Sequence, residues 1–559
     1  MDKFFKLLNM ELLKIVKRKS TYIILGILVI LSIANPILEK LVGQIDYDFD
    51  SQYLDTVINY EKSENVKLNK DEKIVSDIKL EIYCIEKNML SLEKNLNLDK
   101  LTYLYQNYNE YREAYYDKLV LDYINKYGLE NVTKAFESLE YYVPFEYVEA
   151  NYKFLLKDEK VWKENYKEVE EKFNQAEETL NNSKDNIKFV ESKIEYYENS
   201  LKENNDFLKE VNDKDEKNRI NALNKAYEYD LDILNYTKQL IISKDKEFDI
   251  NYLKLCIDLI ELNDSYYIES YSKMTEKEFI LSLSPEDKNI MTYEKYLKIF
   301  DLNLESQKQE IQKKEYALKN NLYDSAYDSE NVGRSLVKSG YSTGTIFILI
   351  SVMISIIIAK EFTTGSIRLL MIRPVKRWKI LFSKLLAILI MTLIMTIIAY
   401  LSLLISCLII YGIDILNIPN LEIINSKVEE QSIFIQSVNY TLLTLISTFS
   451  LICIAVTLAV FSRSPAATIA GSLAIYFGSM LFNMEMVYTP QFWMQYTIIP
   501  YINFMNFSDN IISNIIMQNN IKYGLDITIE RGIITFVVLS LVLLIISTIR
   551  FNKMDIKNT

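Results

Sequence analysis

Residues 342–411 read STGTIFILISVMISIIIA (342–359), KEFTTGSIRLLMIRPVKRWK (360–379) and ILFSKLLAILIMTLIMTIIAYLSLLISCLIIY (380–411). The outer pieces are apolar runs and the middle one is basic and amphipathic. A bilayer takes about 20 predominantly apolar residues to cross. The stretch therefore reads as two spans joined by a short polar element. The same test applied outward picks 21–40, 440–461, 466–483 and 532–549, six spans in all. The 380–411 run is longer than a crossing needs, so it tilts or extends beyond the membrane. Only Ser462-Arg463-Ser464-Pro465 separates two of the runs, which predicts a tight antiparallel hairpin.

The chain has 559 residues, a net charge of −12 and a mean hydropathy of zero, an average over two unlike parts. Residues 44–340 hold 62 Asp and Glu against 42 Lys and Arg, while the remainder is net basic and holds nearly all the long apolar runs. This predicts an all-α membrane protein. Its parts are a cytoplasmic amphipathic helix at 1–20, a first span at 21–43, a large acidic helical insert at 44–340, and five further spans in 341–559 with a short helix at about 360–378.

Composition removes several chemistries. There is no histidine, so Ser-His-Asp and Cys-His catalysis and imidazole metal sites are excluded. Cys84, Cys256, Cys407 and Cys453 form no CxxC pair, which argues against zinc or iron–sulfur ligation. No GxxxxGK[ST] loop and no GxGxxG fingerprint occurs, so no nucleotide binds by those routes. The chain is expected to carry no cofactor, to catalyse no covalent reaction and to bind no nucleic acid. Its energy must come from a partner or an ion gradient. Lysine outnumbers arginine 53 to 10, and isoleucine and asparagine are abundant, a composition that suggests an AT-rich bacterial genome.

In Met1–Ser20, Phe4, Leu7, Leu8, Leu12, Ile15 and Val16 recur at helical spacing among Lys3, Lys6, Lys14, Lys17, Arg18 and Lys19. Such a helix suits the cytoplasmic leaflet, where each basic residue near the surface gains about 1 kcal/mol. The rival reading is a secretory signal, but its basic region is long and no small-x-small cleavage site follows. With both termini inside, the inner flanks hold sixteen Lys and Arg, and the short outer loops 413–439 and 484–531 hold only Lys427, Lys522 and Arg531. That asymmetry predicts cytoplasmic termini and an extracellular 44–340.

Between Asp46 and Val332 the insert has one glycine, Gly128, and two prolines, Pro144 and Pro285, so long helices are expected. From Trp162 to Val211 apolar residues keep one 4-3 register interrupted only at Ser183 and Asn204. Val75–Leu96 forms a second seam, and Leu304, Ile311 and Leu318 a looser third. Periodicity near 3.5 residues with charged flanks is a coiled-coil signature. Unbroken, 162–211 would reach roughly 75 Å. An antiparallel stalk and a compact helical bundle both fit these seams. Tyr103, Tyr105, Tyr108, Tyr111, Tyr115 and Tyr116 would supply a binding face or fill seams, and Cys84 and Cys256 are the candidate disulfide pair of the insert.

The 360–379 stretch reads as a short cytoplasmic helix, with Thr363 or Thr364 helping to cap its start and Pro374 limiting its end. Phe362, Ile367, Leu370 and Met371 lie on one face, and Arg368, Arg373 and Arg377 on the other. Such an element docks in a partner's groove through an apolar anchor and charged rim; alternatively it is an ordinary positive-inside loop.

This stretch resembles the coupling-helix region of type-2 ABC transporter permeases, where Glu-Phe-x-x-Gly-Thr-x-Arg is followed by x-x-Arg-Pro and a basic cluster. The matching residues are Glu361, Phe362, Gly365, Arg368, Arg373 and Pro374, with Ser366 where Thr is commoner. The order of leader, span, exterior insert, span and motif is also similar to that family, over about 1–43 and 340–559. The resemblance implies a separately encoded cytoplasmic ABC ATPase that carries ATP and Mg, and a second permease copy or paralogue. It implies docking contacts through Arg368 and Glu361, an anchor at Phe362, and at Gly365 a close backbone approach. It says nothing specific about 44–340.

Residues 484–531 are amphipathic rather than spanning. Phe492, Trp493 and Tyr496 suit the lipid–water interface, and the position is similar to the re-entrant helices of that family. Glu485 either lines a pathway or reaches to water. The leading expectation is thus the permease subunit of an ATP-driven exporter in a bacterial plasma membrane, moving or releasing an amphiphilic substrate such as an antimicrobial peptide, lipid or drug. The rivals are a coiled-coil stalk receptor or secretion accessory without an ATPase, and a mechanotransmitter that keeps the ATPase but does not transport.

Overall fold

The computed structural model describes residues 2–96, 104–139, 159–244, 250–285, 287–322, 335–337, 343–372, 375–417, 419–507 and 510–554. Within these, six helices are long and apolar enough to cross a membrane: Lys19–Leu41, Gly344–Thr363, Arg377–Tyr411, Ile433–Ser462, Pro465–Asn483 and Ile529–Asn552. Each covers a run expected from sequence. Ile394, Ile397, Leu401, Ile405 and Ile409 on one helix, and Ile534, Val538, Leu541 and Ile545 on another, expose an apolar stripe outward. Apolar surface of that extent suits a non-aqueous surrounding.

Helix α1 (Asp2–Val16) leads into α2 (Lys19–Asn65), one 47-residue helix that enters the insert without a break. The insert continues as α3 (Lys70–Asn95), α4 (Tyr105–Tyr127), α5 (Leu129–Glu137), α6 (Glu159–Ser183), α7 (Asn186–Glu210), α8 (Lys214–Lys244), α9 (Ile250–Ser270), α10 (Glu276–Ser282) and α11 (Tyr293–Lys319). Cross-helix contacts show antiparallel pairing of α2 with α3, α4 with α6 and α7 with α8. Lys79 meets Glu61 and Lys87 meets Asp55 between α3 and α2. Tyr166 meets Asp122 and Asn107 meets Ser183 between α6 and α4. Asn204 meets Asn224 and Lys238 meets Glu191 between α7 and α8.

The seams bury the expected residues, among them Ile78, Ile82, Val169, Phe173, Leu180, Val190, Tyr197, Ile311 and Leu318. The 162–211 register, however, is two helices and not one. The chain breaks at Lys184-Asp185, where the Asp185 carboxylate caps α7 by accepting from the backbone N–H groups of Ile187 and Lys188. The arms face different neighbours, α4 and α8, so the roughly 75 Å rod does not form. Of the tyrosines, Tyr108 and Tyr116 are buried and Tyr111 and Tyr115 stack near Phe173, which makes them seam; Tyr103 lies outside the described residues. Cys256 is fully buried, Cys84 is exposed, and both thiols are free, so the candidate pair is not bonded.

The apolar bundle follows: α12 (Thr343–Ile354), a π-helical turn (Ser355–Ala359), α13 (Lys360–Thr363), α14 (Ser366–Met371), α15 (Arg377–Tyr411), α16 (Ile433–Ser462), α17 (Pro465–Tyr488), α18 (Asn510–Tyr523) and α19 (Ile529–Asn552). The Ser462–Pro465 hairpin forms as expected, with Arg463 left-handed at φ 54° and Pro465 at the helix start. Helices α2 and α15 run parallel: Glu11 near the foot of α2 meets Lys384, and further along Ser406 donates to the Ile33 carbonyl and Tyr411 to that of Pro36. Helices α16 and α19 are parallel too, through Ser450–Ser540 and Thr457–Ser547 hydroxyl pairs seven residues apart.

One element departs from the all-α expectation. Residues 420–431 form a two-stranded hairpin, β1 (Asn420–Ile424) with β2 (Lys427–Gln431), turning on Asn425 and Ser426 at φ 51° and 62°. This hairpin and α18 pack on α11, joined by Tyr316–Glu430, Asn514–Ser306, Gln518–Asn303 and the Lys295 ammonium donating to the Lys522 carbonyl, while Lys522 pairs with Asp287 just before α11. The insert therefore sits at the bundle end that also carries 412–432 and 484–528. The opposite end gathers α1, the 360–377 stretch, Arg463 and the end of α19.

Candidate functional site

The 360–379 stretch lies at that second end, and its local chemistry differs from a single helix. In the last turn of α13 the Lys360 carbonyl accepts from the Thr364 N–H at 3.0 Å and from the Thr363 and Thr364 hydroxyls at 3.0 and 2.9 Å. The threonines thus close the preceding helix instead of capping the next. Gly365 then takes φ 70°, a left-handed geometry that L-residues adopt at a cost, and starts α14 with no side-chain cap. A Cβ built on Gly365 meets nothing within 4 Å, so within this chain the glycine serves the turn and not a close backbone approach.

The turn sorts the motif residues into two sets. Glu361, Phe362, Ile367 and Leu370 are buried in this chain's own core, Phe362 with its ring 6.3 Å from that of Phe551 on α19. Arg368, Leu369 and Ile372 face outward, with Leu369 71% and Ile372 74% exposed. Ser366 is half-buried beside the Thr364 hydroxyl at 2.9 Å, and Arg373 and Pro374 lie outside the described residues. As an apolar anchor Phe362 is already occupied. The large apolar residues left exposed here are Leu369 and Ile372, alongside Arg368. Glu485 is exposed near the end of α17, at the insert end of the bundle, so it does not join this site.

Glu361 belongs to a buried charge cluster that the sequence reading did not assemble. Lys384 Nζ donates to Glu11 Oε2 at 2.8 Å and forms an ion pair with Glu361 Oε2, also at 2.8 Å. Lys14 Nζ closes the ring, 3.1 Å from Glu11 and 3.4 Å from Glu361. The side chains of Lys384, Glu11 and Glu361 are 1%, 2% and 7% exposed. Burial opposes the charge on Glu11, but Lys384 and then Lys14 outweigh it and hold the carboxyl below its ordinary value. Isolated buried charges are expensive and are retained when paired. Arg18 adds a second tie, donating from Nη1 to the Ile356 carbonyl inside the π-helical turn at 3.0 Å. Arg377 Nη1 donates to the carbonyls of Asn552 and Met554, capping the end of α19.

Helix α1 is therefore a packed element and not only a surface one. Leu7, Leu8, Glu11 and Ile15 are buried, while Phe5, Leu13 and Val16 remain exposed. The signals for Glu11 and Lys384 were present in the sequence. Glu11 falls at helical spacing between Leu8 and Ile15, on the apolar face. Lys384 is the one cation within the 380–411 run.

Residues 315–557 match a family described as a protein of unknown function, DUF2705. The matched region takes in the end of α11, the 360–379 stretch and five of the six candidate spans; α1, the first span and most of the insert lie outside it. No curated protein matches the chain, and no solved structure matches it.

Proposed function

We propose that this chain is the membrane subunit of an ATP-driven exporter. In this reading a separate cytoplasmic ABC ATPase docks on α14 and drives movement of the spans in a homo- or heterodimeric assembly. The observation that carries the reading is the left-handed break at Gly365, which seats half of the motif in the bundle and leaves Arg368, Leu369 and Ile372 projecting. A short helix that buries its root and exposes two large apolar residues beside a cation fits a groove on a soluble partner. Force received there has a route inward: Glu361 is tied through Lys384 to α15 and through Glu11 to α1, and Ile356 is held by Arg18. The substrate would be amphiphilic, such as an antimicrobial peptide, a lipid or a drug, in a bacterial plasma membrane with both termini inside and 44–340 outside.

A second version keeps the ATPase but replaces transport with mechanical signalling. It is favoured by the unbroken helix α2 and by the polar contacts of α11 with β2 and α18, which join the insert to the bundle at several points. The test is a mild-detergent pull-down of the tagged chain from its native membranes. A stoichiometric Walker-motif ATPase is expected, and Arg368→Glu should lower its recovery about tenfold or more, as loss of an interface hot spot does, with membrane insertion unchanged. Recovery of the chain without an ATPase sinks both versions and returns the stalk-receptor reading.

A further inference from the structure

Deep in the insert two carboxyl groups face each other without a cation in contact. Asp230 on α8 is fully buried; its Oδ1 accepts from Asn263 Nδ2 at 2.8 Å, and its Oδ2 has no hydrogen-bond partner. Asp264 on α9 is arranged the same way. Its Oδ2 accepts from the Tyr197 hydroxyl of α7 at 3.0 Å, and its Oδ1 is buried without a partner. The two carboxyls are close enough to hydrogen-bond to one another. Each thus has one oxygen satisfied by a neighbour and one buried without a partner.

We propose that Asp230 and Asp264 form a proton-binding site, a carboxyl–carboxylate pair that holds α7, α8 and α9 together while one proton is shared and loosens them when it leaves. One proton supplies the single donor that two facing acceptor oxygens lack, and takes the pair from two negative charges to one. A metal ion fits less well. The Asn263 amide and Tyr197 hydroxyl both point hydrogens at the pair, and two carboxylates fall short of the six to eight oxygens that a calcium ion collects.

Among the described residues no cation forms an ion pair with either carboxyl. Lys193 of α7 is exposed and attracts Asp264 only through space. Tyr227 and Tyr229 on α8, and Cys256, Asp258 and Tyr267 on α9, are neutral or acidic, and the Tyr229 hydroxyl is taken by Glu315 of α11 at 3.1 Å. Burial, then the second carboxylate, pushes the Asp230 carboxyl far above the ordinary range, and burial raises that of Asp264. A group whose pKa is raised by folding contributes its full stability below the unfolded value and loses it as pH climbs through the folded one. The latch is therefore closed in acid and weakens toward neutral and alkaline pH. In a chain with no histidine, it supplies the titration that histidine otherwise provides.

The test uses the full-length chain in lipid nanodiscs and amide hydrogen exchange corrected for the intrinsic effect of pH. Between about pH 5.5 and about pH 8.5, peptides from α8 and α9 should lose about tenfold or more of their protection, one pKa unit corresponding to one decade. Asp230→Asn, which keeps the shape and removes the titration, should flatten that dependence, and Asp264→Asn should repeat the result. Peptides from α3 and α4, whose buried Glu86 is paired with Arg112, should hold steady in every variant and report that the insert is folded. A flat wild type, or an unchanged slope in both variants, overturns the proposal. So does restoration of wild-type protection at alkaline pH by calcium or magnesium, which would make the occupant a metal.

Discussion

At the motif end of the bundle Lys384 lies between Glu11 and Glu361, and Lys14 completes a ring of two positive and two negative groups. In the insert Asp230 and Asp264 share a site where, among the described residues, no cation pairs with them. Both places bury charge, yet their dependence on conditions has opposite sign. Glu11 has its carboxyl held below the ordinary range, so its contribution is present above the unfolded value, about 4.3, and is lost only as pH falls through the lower folded one. The aspartate pair is strongest in acid and loses strength as pH rises. Opposite charges make a pin that holds over the physiological range. Like charges make a joint whose strength depends on the medium outside it.

The largest effect should come from breaking the pin. Lys384→Met leaves two buried carboxylates facing one another with only the partly exposed Lys14 to balance them. Removing one partner of a buried pair costs about 3–5 kcal/mol, read as a fall in unfolding temperature in detergent. Adding Glu11→Gln and Glu361→Gln should recover much of that loss, since nothing charged is then stranded. If Lys384→Met is as stable as wild type, the ring does not hold α1 to the bundle.

A middle effect belongs to Gly365→Ala. Its Cβ meets nothing, so the change isolates the left-handed backbone and costs about 1–2 kcal/mol. Gly365→Asn should cost less, because asparagine visits that geometry more readily. Equal unfolding temperatures for wild type and Gly365→Ala would show that the turn is not held at positive φ. The smallest effect is expected in the insert at Asp185→Ala, which removes the cap of α7 and costs about 1 kcal/mol. Faster amide exchange confined to the first turn of α7 checks it, and unchanged exchange would deny Asp185 its capping role.

The spans were readable because uninterrupted apolar length leaves few alternatives, and the Ser462–Pro465 turn because proline and serine start helices. The seams of α3, α6 and α7 followed from spacing alone. The break at Asp185 was hidden because the apolar register resumes on the far side with almost no change of phase. Only the capping carboxylate marks it. The β1–β2 hairpin was missed because Asn425-Ser426 is a weaker turn signal than Asn-Gly and its strands carry charged residues. In the 360–379 stretch the resemblance grouped Glu361 and Phe362 with Arg368 as docking residues. One left-handed residue then turned the first two inward and the third out. Asp230 stands in seam spacing with Ala226, Ile233 and Thr237, a polar residue in an apolar position; its counterpart on α9 is visible only once the helices are packed.

Helix α2 has a consequence of another kind. A continuous α-helix fixes phase as well as distance, since each residue advances the chain by about 100° as well as by 1.5 Å. The face of α2 that carries Lys40 beside the Ile410 carbonyl and the face that carries Glu61 beside Lys79 are therefore locked in azimuth. The length of the segment between them is quantised: one added residue would turn the insert by roughly a quarter of a revolution against the bundle, whereas seven or eleven would lengthen the shaft and bring both faces back nearly into alignment.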